Sequence, residues 1–95
     1  MAIFLIDEDT VIVQTADLVA AQMDGETVMM RIENGKYYGI DAVGSRIWEL
    51  IASPRRVLEI VGVLAKEYDV EVGQCKADTL DFLNHLYREG LVRLE

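Results

Sequence analysis

At 95 residues the chain has room for one domain with a single modest core. Its 52% hydrophobic and 27% charged content is that of a folded globular protein and excludes a disordered segment. The 17 acidic against 9 basic side chains leave a formal charge of −8, which repels a phosphate backbone and an anionic membrane surface and favours neutral or basic partners.

The apolar run Ala2 to Ile6 has no basic flank and stops at Asp7, Glu8 and Asp9, so it reads as neither signal peptide nor membrane span. A cytoplasmic location is the expectation. Residues 3–14, "IFLIDEDTVIVQ", hold two β-prone runs around an acidic turn, either a hairpin or an arm packed on the body. In "LVAAQMDGETVMMRIENGKYYGI", residues 18–40, three strand-like runs are separated by Asp24-Gly25 and Asn34-Gly35, dipeptides that accept the positive φ angles of type I′ turns. The expectation is a three-stranded antiparallel meander.

With two-residue turns, Ile32 faces Tyr37, Arg31 faces Tyr38, Met30 faces Gly39 and Glu33 opposes Lys36. Alternation then puts Val28, Met30, Ile32 and Tyr37 on one side of the sheet and Met29, Arg31, Tyr38 and Ile40 on the other. Neither side is polar throughout, so one covers the helices and the other keeps exposed apolar material.

Three helices follow. Val43, Ile47, Trp48, Leu50 and Ile51 fall at helical spacing over Ala42 to Ile51, with Asp41 as N-cap. Ser53 and Pro54 mark a second start, and Val57, Val61, Leu64 and Tyr68 make its apolar stripe. The last helix runs from about Gln74 to Glu89 and turns Thr79, Leu83, Leu86 and Tyr87 or Phe82 inward, with Gly90 as its C′ residue. "LVRLE" closes the chain as a short strand or tail. The fold class is α+β: a winged helix-turn-helix, in which a β-meander is followed by three α-helices and "DVEVG" joins the last two.

Catalytic chemistry finds no support in these residues. His85 is the only histidine and Cys75 the only cysteine, so neither has a companion at metal-ligand spacing. His85 reads as a surface or groove-lining side chain and Cys75 as a buried filler. Ser45 has no histidine partner, Lys66 lies on a polar helix face beside Glu67, and "GSRIWEL" lacks the phosphate-loop lysine pattern. The expectation is a protein that is not an enzyme and that uses no cofactor and no metal. Met23, Met29 and Met30 cluster on two strands, as core filling or as an adaptable binding surface.

The strand "ETVMMRI", the arm "GKYYGID", the helix "VGSRIWEL", the segment "KEYDV" and the closing "FLNHLYREGLV" together resemble the PqqD family, leader-peptide recognition elements of ribosomally made, modified peptides. The similarity covers about Asp17 to Val92, within a single domain spanning residues 1–95; residues 1–16 form an N-terminal arm outside it. The resemblance implies a winged-helix domain whose three-stranded sheet gains a fourth strand from a precursor's leader segment, which also fills a groove beside the third helix. It implies a non-catalytic carrier that delivers the peptide to a leader peptidase or other modifying enzyme of the same pathway. "NGKYYGID" and "GSRIWEL" are closer to the elements of lasso-peptide pathways, whose partners are a cysteine-protease-like leader peptidase and a macrocyclase resembling asparagine synthetase. A peptide chaperone for a radical enzyme, as in pyrroloquinoline quinone synthesis, is the alternative.

On that pattern the third strand is a free edge open to strand addition, with Gly39 leaving space for another backbone. The residues nominated for the peptide are Met30, Arg31, Lys36, Tyr37, Tyr38, Gly39 and Ile40 on the sheet and Lys76, Thr79, Leu80, Leu83, Asn84 and Tyr87 on the last helix. A winged-helix nucleic-acid binder is disfavoured, because Lys76 and Arg88 on that helix are offset by Asp78, Asp81 and Glu89. No nucleic-acid or membrane partner is expected. Weak homodimer formation by strand exchange is the remaining interaction, and leader peptide would dissolve it if it used the same edge.

Overall fold

In the computed structural model, which describes residues 6–95, the chain runs β1 (Val11–Gln14), β2 (Leu18–Met23), β3 (Glu26–Arg31), β4 (Tyr37–Ile40), α1 (Ala42–Leu50), β5 (Arg55–Arg56), α2 (Val57–Tyr68), α3 (Val72–Arg88) and β6 (Val92–Leu94). Two three-stranded antiparallel sheets result, ordered β2-β3-β4 and β5-β1-β6. The class is α+β. No helix among the described residues is long and apolar enough to cross a membrane.

The meander forms where expected. Asp24 (φ 54°) and Gly25 (φ 84°) make the two-residue turn that pairs Met23 with Glu26. The second hairpin departs from the expected register. Met30 pairs with Tyr37, Met29 with Tyr38 and Val28 with Gly39, two residues away from the pairing that a two-residue Asn34-Gly35 turn gives. The Arg31 amide donates to the Lys36 carbonyl (2.9 Å) and the Gly35 amide to the Arg31 carbonyl (2.8 Å), so Ile32 to Gly35 form a four-residue loop with Gly35 alone at positive φ. Glu33 therefore does not oppose Lys36. A slip of two keeps parity, and each side chain stays on its expected face. Thr27 and Met29 are buried on the inner face, while Ile32 and Tyr37 are 60% and 69% exposed on the outer side.

The second sheet is a correction to the expected single meander. The acidic turn at Asp7–Thr10 does not fold Val11–Gln14 back on the preceding run as a hairpin within the described residues; β1 packs on the body as a central strand. Residues 3–5 of the expected hairpin lie outside those described. β1 pairs Ile12 with Arg55 on one side and with Leu94 on the other. For the same reason α2 begins at Val57, three residues after Pro54: Arg55 and Arg56 are drawn into strand pairing, and Arg56 becomes the helix N-cap.

The core lies between the sheets and the helices, with Ile12, Met29, Ile51, Val57, Ile60, Val61, Leu83, Leu86 and Leu91 all essentially solvent-free. Cys75 is buried in it, its thiol 3.9 Å from the Val61 carbonyl. Side chains cap the starts of α1 and α3, and a glycine follows the end of α3. The Asp41 carboxylate accepts from the Gly44 amide (2.8 Å) and the Glu71 carboxylate from the Gln74 amide (2.7 Å). At the end of α3, Gly90 (φ 74°) donates to Tyr87 and Leu91 to Leu86, closing the last turn with the two bonds of a Schellman motif.

Candidate functional site

The site is built around the unpaired side of β4. Because the Arg31–Lys36 pair exchanges a ladder hydrogen bond, the alternation of an antiparallel ladder makes Met29–Tyr38 and Thr27–Ile40 bonded pairs as well. The backbone groups of Tyr38 and Ile40 are thus turned toward β3. Those of Tyr37 and Gly39 point outward at the sheet margin, where among the described residues β4 has no neighbour in its sheet. A Cβ added at Gly39 would meet nothing within 4 Å.

Beside that margin stands α3. A cleft of about 270 Å³ lies between them, lined by Tyr38, Gly39, Ile40 and Asp41 on one wall and Phe82, His85, Leu86 and Leu91 on the other. Past Asp41 and Phe82, which border both, a second cavity of about 350 Å³ opens between α1, the end of α2 and the first half of α3. Val43, Ile47, Leu64, Tyr68 and Val70 make it apolar, and the Asp41 and Asp78 carboxylates stand at its border. Sharing Asp41 and Phe82, the two adjoin as one trough, an extended hydrogen-bonding edge followed by an apolar pocket.

Three contacts hold the trough's walls in place. The Thr27 hydroxyl donates to the Ser45 hydroxyl (2.7 Å), which donates to the Asp41 carbonyl (2.7 Å), fixing β3 and the end of β4 to α1. Gly44 allows α1 to approach α3 closely, since a Cβ there would sit 2.9 Å from the Phe82 ring. The Arg31 guanidinium bridges Asp17 (3.0 Å) and the carbonyls of Glu89 (2.8 Å) and Gly90 (2.9 Å), tying β3 to the end of α3. At the start of α3, the Gln74 and then the Gly73 amide hold the Glu71 carboxyl below its ordinary value.

The nominated residues divide. Tyr38, Gly39 and Ile40 line the cleft, and Thr79 lines the apolar cavity. Lys36 stands over the Tyr38 ring, 5.4 Å from its centroid, and 3.8 Å from Glu89. Tyr37 and Met30 are a cross-strand pair on the outer face, and Arg31 acts as the bolt described above. Lys76, Leu80, Leu83, Asn84 and Tyr87 line neither cavity. Lys76 pairs with Glu8 (3.2 Å), Asn84 donates to the Leu80 carbonyl (2.9 Å) and is buried, Leu83 is fully buried, and Leu80 and Tyr87 pack against the core. The wall instead comes from Asp78, Phe82 and His85, spaced four and three along α3, with Leu86 and Leu91 beyond. Helical spacing puts 78, 82 and 85 on one face, but the apolar pattern points to Thr79, Leu83 and Leu86, and which face meets β4 is not legible in the sequence.

Among the described residues no three His, Cys, Asp or Glu side chains are grouped to hold a metal ion, and every buried side-chain polar atom has a partner. What the trough offers a ligand is backbone hydrogen bonding and apolar shape.

The profile of the family described as coenzyme PQQ synthesis protein D (PqqD) matches residues 26–92. The solved structure of TbiB1 in complex with the TbiA(beta) leader peptide superposes with a TM-score of 0.78 at 37% identity, covering 85% of this chain and 94% of that one. A lasso peptide synthetase B1 complexed with the leader peptide superposes with a TM-score of 0.77 at 18% identity, covering 86% and 96%, a likeness of fold. No curated protein matches the chain.

Proposed function

The chain belongs to the PqqD family, and from that premise we propose that it is a non-catalytic carrier of the leader segment of a ribosomally made precursor peptide, in lasso-peptide biosynthesis. The observation that carries this reading is the 37% identical relative, similar over 94% of its length, whose structure was solved with a leader peptide. The leader joins β4 as a fourth, antiparallel strand. Tyr37 and Gly39 exchange main-chain hydrogen bonds with it, and its side chains enter the cleft beside α3. In the antiparallel sense its N-terminal part passes Ile40 and reaches the apolar cavity beyond Asp41. We read α2, the link at residues 69–71 and α3 as the helix-turn-helix of a winged-helix domain and the meander as its wing. The bound peptide is then handed to a leader peptidase or another modifying enzyme.

Magnitudes support a preformed edge. A leader of about ten residues gives up roughly 1 kcal/mol or more of backbone entropy per ordered residue, so hydrogen bonds alone leave little net affinity. One large apolar side chain seated in the cavity adds about 1.5–3 kcal/mol, enough to move binding tenfold or more. Titration of the isotope-labelled chain with the cognate leader tests the reading by NMR. The amides of Tyr37 and Gly39 are expected to shift most; if they stay in place at saturating peptide, strand addition at β4 is wrong.

A further inference from the structure

The meander has a second surface that strand addition at β4 does not use. Its outer face carries two apolar cross-strand rows, Val19–Met30–Tyr37 and Ala21–Val28–Gly39, with Met23 and Ile32 at the ends. Val19, Met23, Ile32 and Tyr37 are 53%, 61%, 60% and 69% exposed. No charged side chain interrupts those rows. Carboxylates stand at both ends of the face instead, with Asp24 and Glu26 at the β2–β3 turn and Glu33 at the β3–β4 loop, all exposed. Among the described residues β2 is also a free edge, and its residues 19–23 are exposed on both faces and uncharged, without the lysine or proline that usually guards such a strand.

We propose that this outer face is the docking surface for the protein that processes the carried peptide, a partner presenting an apolar centre bordered by lysine and arginine. The inference rests on the carrier reading given above. Two observations select this occupant. The acidic ends of the face, on a chain of net charge −8, complement a basic rim and oppose a second copy of the same chain. In antiparallel self-pairing along β2, with Leu18 facing Met23 of the other copy, Asp17 would face Asp24 at both ends. Position supplies the other reason. A strand added at β4 extends this same face, and alternate side chains of the peptide project beside Tyr37 and Gly39. A protein seated over Val28 and Met30 thus touches carrier and peptide at once.

The test titrates the leader peptidase of the same pathway onto the chain and onto Val19→Glu and Met23→Glu, both on β2 and separated from β4 by β3, each preloaded with fluorescent leader. Leader affinity is expected to stay within twofold of wild type, which also reports intact folding, while protease affinity falls by about tenfold or more. Glu26→Lys is expected to lower the protease on-rate and flatten its salt dependence. The proposal is overturned by protease binding that ignores Val19→Glu and Met23→Glu, or by no protease binding to the loaded wild type. It is overturned equally by sedimentation showing a wild-type dimer that Val19→Glu dissociates, which would make a second copy the occupant. Failure of the wild type to bind leader is read in the first step and counts against the carrier reading itself.

Discussion

The Arg31 guanidinium reaches from the inner face of β3 to the carbonyls of Glu89 and Gly90, the C-cap of α3 and the residue after it, so one side chain ties together the sheet and the helix that wall the cleft. Arg31→Lys keeps the charge but loses the planar fork that serves Asp17 and two carbonyls together. We expect it to lower the melting temperature by several degrees and to weaken leader binding, both measurable on one preparation. Two residues of β4 separate edge chemistry from sheet chemistry. Proline at Gly39 removes an amide that faces the margin, and is expected to weaken the leader by about tenfold or more with a small change in melting temperature. Proline at Tyr38 instead breaks the ladder to Met29 and should destabilise the fold. If Gly39→Pro binds leader normally in a fluorescence titration, the peptide uses another edge. Gly44→Ala presses on the Phe82 ring and reshapes the junction of cleft and cavity, so its expected signature is altered selectivity among leader side chains.

At the scale of elements, α3 is both the support of the core and a wall of the site, and its two ends differ in what fixes them. Its C-terminus depends on Gly90 at positive φ, where a Cβ would also approach Arg31 at 3.1 Å. Gly90→Ala should cost about 1 kcal/mol, lowering the melting temperature by roughly 4–8 °C. Calorimetry checks this directly. Its N-terminus depends on the Glu71 carboxylate, and the turn before β1 on Asp7, which accepts from the Asp9 amide (2.9 Å) and the Thr10 hydroxyl (3.0 Å). Arg46 on α1 meets Glu67 on α2 through two hydrogen bonds of 2.9 and 2.8 Å.

For the molecule as a whole these exposed carboxylates each add a small, acid-sensitive contribution to stability. Amides lower Asp7 and Glu71, with the Thr10 hydroxyl helping Asp7, and Arg46 lowers Glu67, so all three lie below their ordinary values of 3.8, 4.5 and 4.5. Groups lowered by folding stabilise it when ionised; their contribution is complete above those values and is lost as pH falls through the folded ones. Urea midpoints should therefore hold level above about pH 5 and decline below it, and a Glu71→Gln variant should show a shallower decline. Local chemistry determined much of this protein in advance: the Asp24-Gly25 turn, the Asp41 cap, the Gly90 stop and the inner and outer faces of the meander all depend on neighbours in sequence. The faces survived even the two-residue error in register at Asn34-Gly35, because strand parity repeats every two residues. The tertiary structure alone decided the second sheet, since β1 pairs with the two residues of β5, which carry no strand signal, and with the short closing run of β6, whose partner nothing local names, and these lie some 40 and 80 residues along the chain. It alone decided which stripe of α3 meets β4, because that depends on the close approach at Gly44 and the reach of Arg31, contacts between residues that periodicity cannot relate.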